Sequence, residues 1–134
     1  MVPTIPERAS GWLPPKEVGP GLELPNRLRV EIARRKVTGY LLAVAHPVGG
    51  AKARYFESRG YSVEAPEQLE DALRQVAAQG TTVKRDVTEW GTKYVVEGSV
   101  TAPDGNPLAL ATVWIVAGPS VPVLVTAYPT TRKP

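Results

Sequence analysis

A chain of 134 residues, 43% hydrophobic and 22% charged, is the size and composition of one globular domain, large enough to bury a core without disulfides or metal. It holds no cysteine and a single histidine, which excludes disulfides, thiolate catalysis and iron–sulfur clusters and leaves a zinc site almost without ligands. The net charge is only +3 but unevenly spread: residues 27–59 carry eight basic side chains against Glu31 and Glu57, whereas residues 64–71 carry four acids and no base. A local excess of positive charge of this kind can attract phosphate.

An apolar run such as Leu41-Leu42-Ala43-Val44-Ala45 is far too short to span a bilayer. No apolar signal-peptide core precedes it. A cytoplasmic protein without a membrane partner is the expectation.

Residues 1–25 contain six prolines and three glycines, a density that blocks both helix and central strand, so they read as an extended lead segment. The remaining residues, 26–134, read as one domain. Leu28-Arg29-Val30-Glu31-Ile32 alternates apolar and polar as a short strand would. Residues 34–45 follow as a helix, with Val37, Tyr40, Leu41 and Val44 on one face, Gly39 weakening it and Pro47 barring its extension. Residues 50–58 form a second helix closed by Gly60. Pro66 opens a third, in which Leu69, Ala72, Leu73, Val76 and Ala77 make an apolar stripe and Gly80 follows the end.

Everything beyond reads as strand. Residues 82–88 alternate with Val83 and Val87 on one face, and residues 92–102 place Tyr94, Val96 and Val100 together. Pro103-Asp104-Gly105-Asn106 is a hairpin turn. Residues 108–117 set Leu110, Thr112 and Trp114 on one side, and residues 121–128 form the last strand. Four strands with tight connections make an antiparallel meander, and helices followed by strands predict an α+β fold with the helices packed on one face of the sheet. Tyr94, Trp114 and Phe56 are expected in the core.

Chemistry is expected around His46-Pro47-Val48-Gly49-Gly50-Ala51-Lys52-Ala53-Arg54. His46 is the side chain best suited to exchanging protons near neutral pH. The alternative is that it merely follows a helix C-terminus, where a partly charged imidazole is favoured. Lys52, near the start of the second helix, is the better phosphate ligand; Arg54 points elsewhere on that helix and ranks second. Arg54 and Arg59 read most simply as solvated cations. Gly50 leaves the backbone free to approach a substrate closely. Thr126 and Tyr128, two apart on the last strand, project together and offer a hydroxyl pair. The spacing of Gly49-Gly50-Ala51-Lys52 does not make a nucleotide-binding loop.

Leu24-Pro25-Asn26, the His46–Phe56 stretch, Gly91-Thr92-Lys93-Tyr94-Val95-Val96, Thr112-Val113-Trp114-Ile115 and Thr126-Ala127-Tyr128-Pro129 together resemble a bacterial family of uncharacterised domains over residues 24–129. The succession of helices and meander also resembles the barnase, EndoU, colicin and RelE-type ribonuclease superfamily, to which many toxin tips belong. That resemblance implies RNA cleavage by the neighbouring 2′-hydroxyl with no metal or other cofactor. It implies His46 as acid or base, Lys52 as phosphate ligand, and Thr126 and Tyr128 near the scissile bond. With one histidine, a two-histidine mechanism is impossible, so Glu97, Tyr128 or a lysine must be the partner. The expected partners are RNA and a cognate inhibitor protein. The competing readings are a non-catalytic protein-binding or structural module and a nucleic-acid binder without catalysis.

Overall fold

The computed structural model describes residues 23–43 and 50–130. His46, Gly49 and most of the proline-rich lead lie outside the described residues.

The third predicted helix forms where its sequence directs it. Helix α3 (Pro66–Gln79) starts with proline in its first turn, where a missing N–H costs nothing, and buries Leu69, Ala72, Leu73, Val76 and Ala77. Helix α2 (Gly50–Ser58) buries Ala53 and Phe56, three residues apart and so on one side. The first predicted helix is not a regular α-helix, and Val44 and Ala45 at its expected end lie outside the described residues. One α turn, α1 (Arg34–Lys36), passes into a π-helical turn, Val37–Leu41, closed by the Leu42 N–H donating to the Val37 carbonyl five residues back at 2.8 Å. Val37 and Leu41 are buried, as the apolar face requires. Thr38 donates its hydroxyl to the Arg34 carbonyl at 3.2 Å, a back-bond that competes with regular α geometry.

Four strands follow: β1 (Thr81–Thr88), β2 (Gly91–Thr101), β3 (Pro107–Val116) and β4 (Val123–Pro129), antiparallel and in the order β1-β2-β3-β4. The fold is α+β, with the helices preceding and packed against a four-stranded antiparallel sheet. Cross-strand register defines two faces. Thr82, Val96, Thr112 and Ala127 form one row, Tyr94, Trp114 and Leu124 another, and these side chains are buried with α3. The two rows flanking the first of these, Val95–Val113–Thr126 and Glu97–Ala111–Tyr128, project to the other face. Val125 is an extra residue between Leu124 and Thr126, a bulge that bends β4 just before its hydroxyl pair.

Two strand expectations are corrected. Residues 28–32 do not form a strand: Asn26, with φ of 53°, and the Arg29 N–H bonded to its carbonyl make a turn, and Leu28 is exposed. Only Glu31 pairs, in parallel with Val123. In β1 the pairing shifts at Val83, so the core row takes Thr82, and Val87 is 73% exposed. Tyr94, Trp114 and Phe56 are buried as expected.

Arg59 is not a solvated cation. It donates to the Asp104 carboxylate at 2.8 Å, to the Pro107 carbonyl at 2.8 Å and to the Tyr55 hydroxyl at 3.1 Å, and so ties the end of α2 to the β2–β3 turn. The bond from Arg59, reinforced by the Asn106 backbone N–H, holds the Asp104 carboxyl below its ordinary range. A depressed carboxyl stabilises the fold above its unfolded pKa and loses that contribution as pH falls through the folded value. Wild type is therefore expected to exceed Asp104→Asn in resistance to urea at pH 6, with the gap closing below about pH 4. Urea titrations of both proteins across that range check it; a gap that persists in acid would contradict the assignment.

Among the described residues, no helix is long and apolar enough to cross a membrane.

Candidate functional site

The residues singled out in α2 and β4 come together. The Lys52 ammonium donates to the Thr126 hydroxyl at 3.1 Å, a contact between positions 74 residues apart in the chain. It also lies 5.9 Å from the centre of the Tyr128 ring. Thr126 and Tyr128 sit in adjacent rows on the same side of β4, so one cation reaches both. Arg54 is exposed and makes no part of this cluster, as expected from its place on the helix; Gly50 is buried at the first residue of α2. His46 lies outside the described residues.

Tyr40, absent from the residues expected to carry chemistry, joins the cluster. Its phenol oxygen is 3.5 Å from the Lys52 nitrogen, and the ammonium lies 5.2 Å from its ring centre. Lys36, from α1, approaches the same ring at 5.5 Å. Helical periodicity places Tyr40 on an apolar face, and its ring does pack against the core cluster. A tyrosine, however, has an apolar body and a polar tip. Its tip is delivered to the site by the π-helical turn, a geometry found disproportionately at functional sites.

Electrostatics follow from this packing. Partial burial favours the neutral phenol and would raise its pKa; the Lys52 charge, hydrogen bonds with Thr126 and Lys52, and the Lys36 charge outweigh it, so Tyr40 is more acidic than an ordinary tyrosine. Among the described residues no carboxylate pairs with Lys52; its partners are hydroxyls and aromatic faces. Such neutral partners orient an ammonium without cancelling its charge, which stays available to an anion. No group of three or more His, Cys, Asp or Glu among the described residues is placed to hold a metal ion.

The fold and the cluster define an α+β domain with a lysine set among three hydroxyl-bearing side chains at a sheet edge. The chain belongs to the family described as Domain of unknown function (DUF6883), which matches residues 23–131. Its fold is similar to that of a chain in the contact-dependent growth inhibition toxin–immunity protein complex from Klebsiella pneumoniae 342, with a TM-score of 0.61 and 15% sequence identity. The match covers 74% of this chain and 98% of that one, so the likeness spans a whole domain; at that identity it establishes shared fold alone. No curated protein matches the chain.

Proposed function

We propose that this domain is a small, metal-independent endoribonuclease-like domain of toxin type, cleaving RNA by 2′-hydroxyl attack. The observation that carries the reading is the convergence of Lys52, Thr126 and Tyr128, from α2 and β4, around an ammonium that pairs with no carboxylate among the described residues. Lys52 binds the scissile phosphate and stabilises the charge that builds on its oxygens during attack. Thr126 and Tyr128 orient the phosphate with their hydroxyls, and Arg54 offers a second cation to the flanking backbone. His46 accepts the proton of the attacking 2′-hydroxyl, a role that rests on the sequence. The O2′–P bond forms, the P–O5′ bond breaks, and the products are a 2′,3′-cyclic phosphate and a free 5′-hydroxyl. The fold shared with a chain of a toxin–immunity protein complex supports a toxin-type setting in which a cognate protein covers the site.

The test is cleavage of labelled single-stranded RNA and total tRNA in EDTA, with wild type beside His46→Ala and Lys52→Ala. Activity in wild type that both substitutions remove, with folding intact, is the expected result. Cleavage by His46→Ala at the wild-type rate would remove His46 from the mechanism. A second reading, a non-catalytic protein-binding module, draws on Val87 and Trp90, both 73% exposed around the β1–β2 turn. It predicts no cleavage of any RNA.

A further inference from the structure

Resting on that reading, we infer that Tyr40 is a catalytic residue: its phenol is the general acid that protonates the departing 5′-oxygen. The placement argues for it. Three elements meet at the phenol: α1 brings Lys36, α2 brings Lys52, and β4 brings Thr126, with the Tyr128 ring 5.9 Å from the Lys52 ammonium. A phosphate bound by Lys52 must lie within hydrogen-bond reach of an ammonium that is itself 3.5 Å from the Tyr40 oxygen. The phenol is thus beside the scissile group before any reaction begins, which is the first requirement for proton transfer.

The chemistry balances with residues already named. As the 2′-oxygen bonds to phosphorus, its proton passes to the proposed base, His46. As the P–O5′ bond breaks, its electron pair stays on the 5′-oxygen, which takes the Tyr40 proton. The phenolate left behind faces Lys52 and Lys36, whose charges stabilise it at the moment it forms. The proton held by the base then returns to Tyr40 through solvent, and the site is restored. A phenol remote from cations would be too weak an acid for this task; the two ammoniums strengthen it in the direction needed. The protonated form is the active one, so cleavage falls as pH rises through the Tyr40 pKa.

Tyr40→Phe is the informative variant, because it keeps the ring that packs on the core and removes only the hydroxyl. Two measurements are made on wild type, Tyr40→Phe and Lys52→Ala. Ultraviolet titration of the five tyrosines needs no substrate. One phenol is expected to ionise below the others, to vanish in Tyr40→Phe, and to move upward in Lys52→Ala. In the RNA assay, Tyr40→Phe is expected to cleave about 10²-fold or more slowly with unchanged RNA affinity, and to lack the alkaline fall in rate. Wild-type cleavage that Tyr40→Phe does not slow, or a lowest-ionising phenol that survives in Tyr40→Phe, overturns the inference alone. Wild type that cleaves no RNA overturns the ribonuclease reading and the catalytic role of Tyr40 with it.

Discussion

Lys52→Ala is expected to lower RNA cleavage by about 10²–10³-fold while leaving the domain folded, the size of effect seen when one preorganised stabiliser of a developing anion is removed. The fold should survive because α2 is held by other residues: Ala53 and Phe56 are fully buried, and Arg59 clamps its end to the β2–β3 turn. Lys52 itself is half-buried, with its charge directed at hydroxyls and rings. Its removal takes the cation from the phosphate and also the charge that acidifies Tyr40. Binding to RNA should weaken as well, and the dependence of log affinity on log salt should lose about one charge's worth of slope. Lys52→Arg is a sharper probe. It keeps the charge, but a planar guanidinium does not fit where a compact ammonium sits 3.1 Å from Thr126 with phenol rings at 5.2 and 5.9 Å. Partial activity is expected from it. Full activity in Lys52→Ala, by gel assay of labelled RNA over a salt series, would show that this cluster is not where phosphate binds.

What was readable in the chain, and what was not, divides by the range of the interactions involved. Helix α3 could be read because each of its signals is local: Pro66 in the first turn, apolar residues at helical spacing, Gly80 after the end. Strands β2 and β3 could be read because alternation around Pro103-Asp104-Gly105-Asn106 fixes both turn and register. The first helix misled because residues three and four apart share a side in an α-helix and remain close in a π turn, so Val37, Tyr40 and Leu41 fit either. The same ambiguity hid Tyr40. Its ring satisfies the apolar pattern, while the partners of its hydroxyl lie on α2 and β4. Arg59 was misjudged for a related reason, since Asp104 and the carbonyls it binds arrive by a tertiary contact 45 to 48 residues away. Lys52, Thr126 and Tyr128 were each visible as residues of the right type. Their meeting is a product of the fold, through the bulge at Val125 that bends β4 and the approach of α2 to that edge.

The largest expected loss of stability comes from Trp114→Ala, at about 3–5 kcal/mol, a large part of the net stability of a domain this size. Trp114 is fully buried near the C-terminal end of β3, between Tyr94 on β2 and Leu124 on β4, and faces the core that α3 covers. Truncation leaves a cavity that the fixed register of three strands cannot close. The indole also ends a buried relay: its N–H donates to the Thr112 hydroxyl at 2.7 Å, and that hydroxyl donates to the Val96 carbonyl at 3.0 Å. This is why a threonine can sit fully buried in the row between Val96 and Ala127. Trp114→Phe separates the two contributions, since it retains most of the volume and removes the donor. It should cost less than Trp114→Ala, because Thr112 keeps its own acceptor. Thr112→Val should cost more than its small change in volume implies, since the buried indole N–H is left without its acceptor. Combined with Trp114→Phe it should be milder than the sum of the two, because the donor it strands has gone. Urea unfolding of the four proteins measures the coupling directly. Strict additivity would mean that the relay contributes nothing beyond packing.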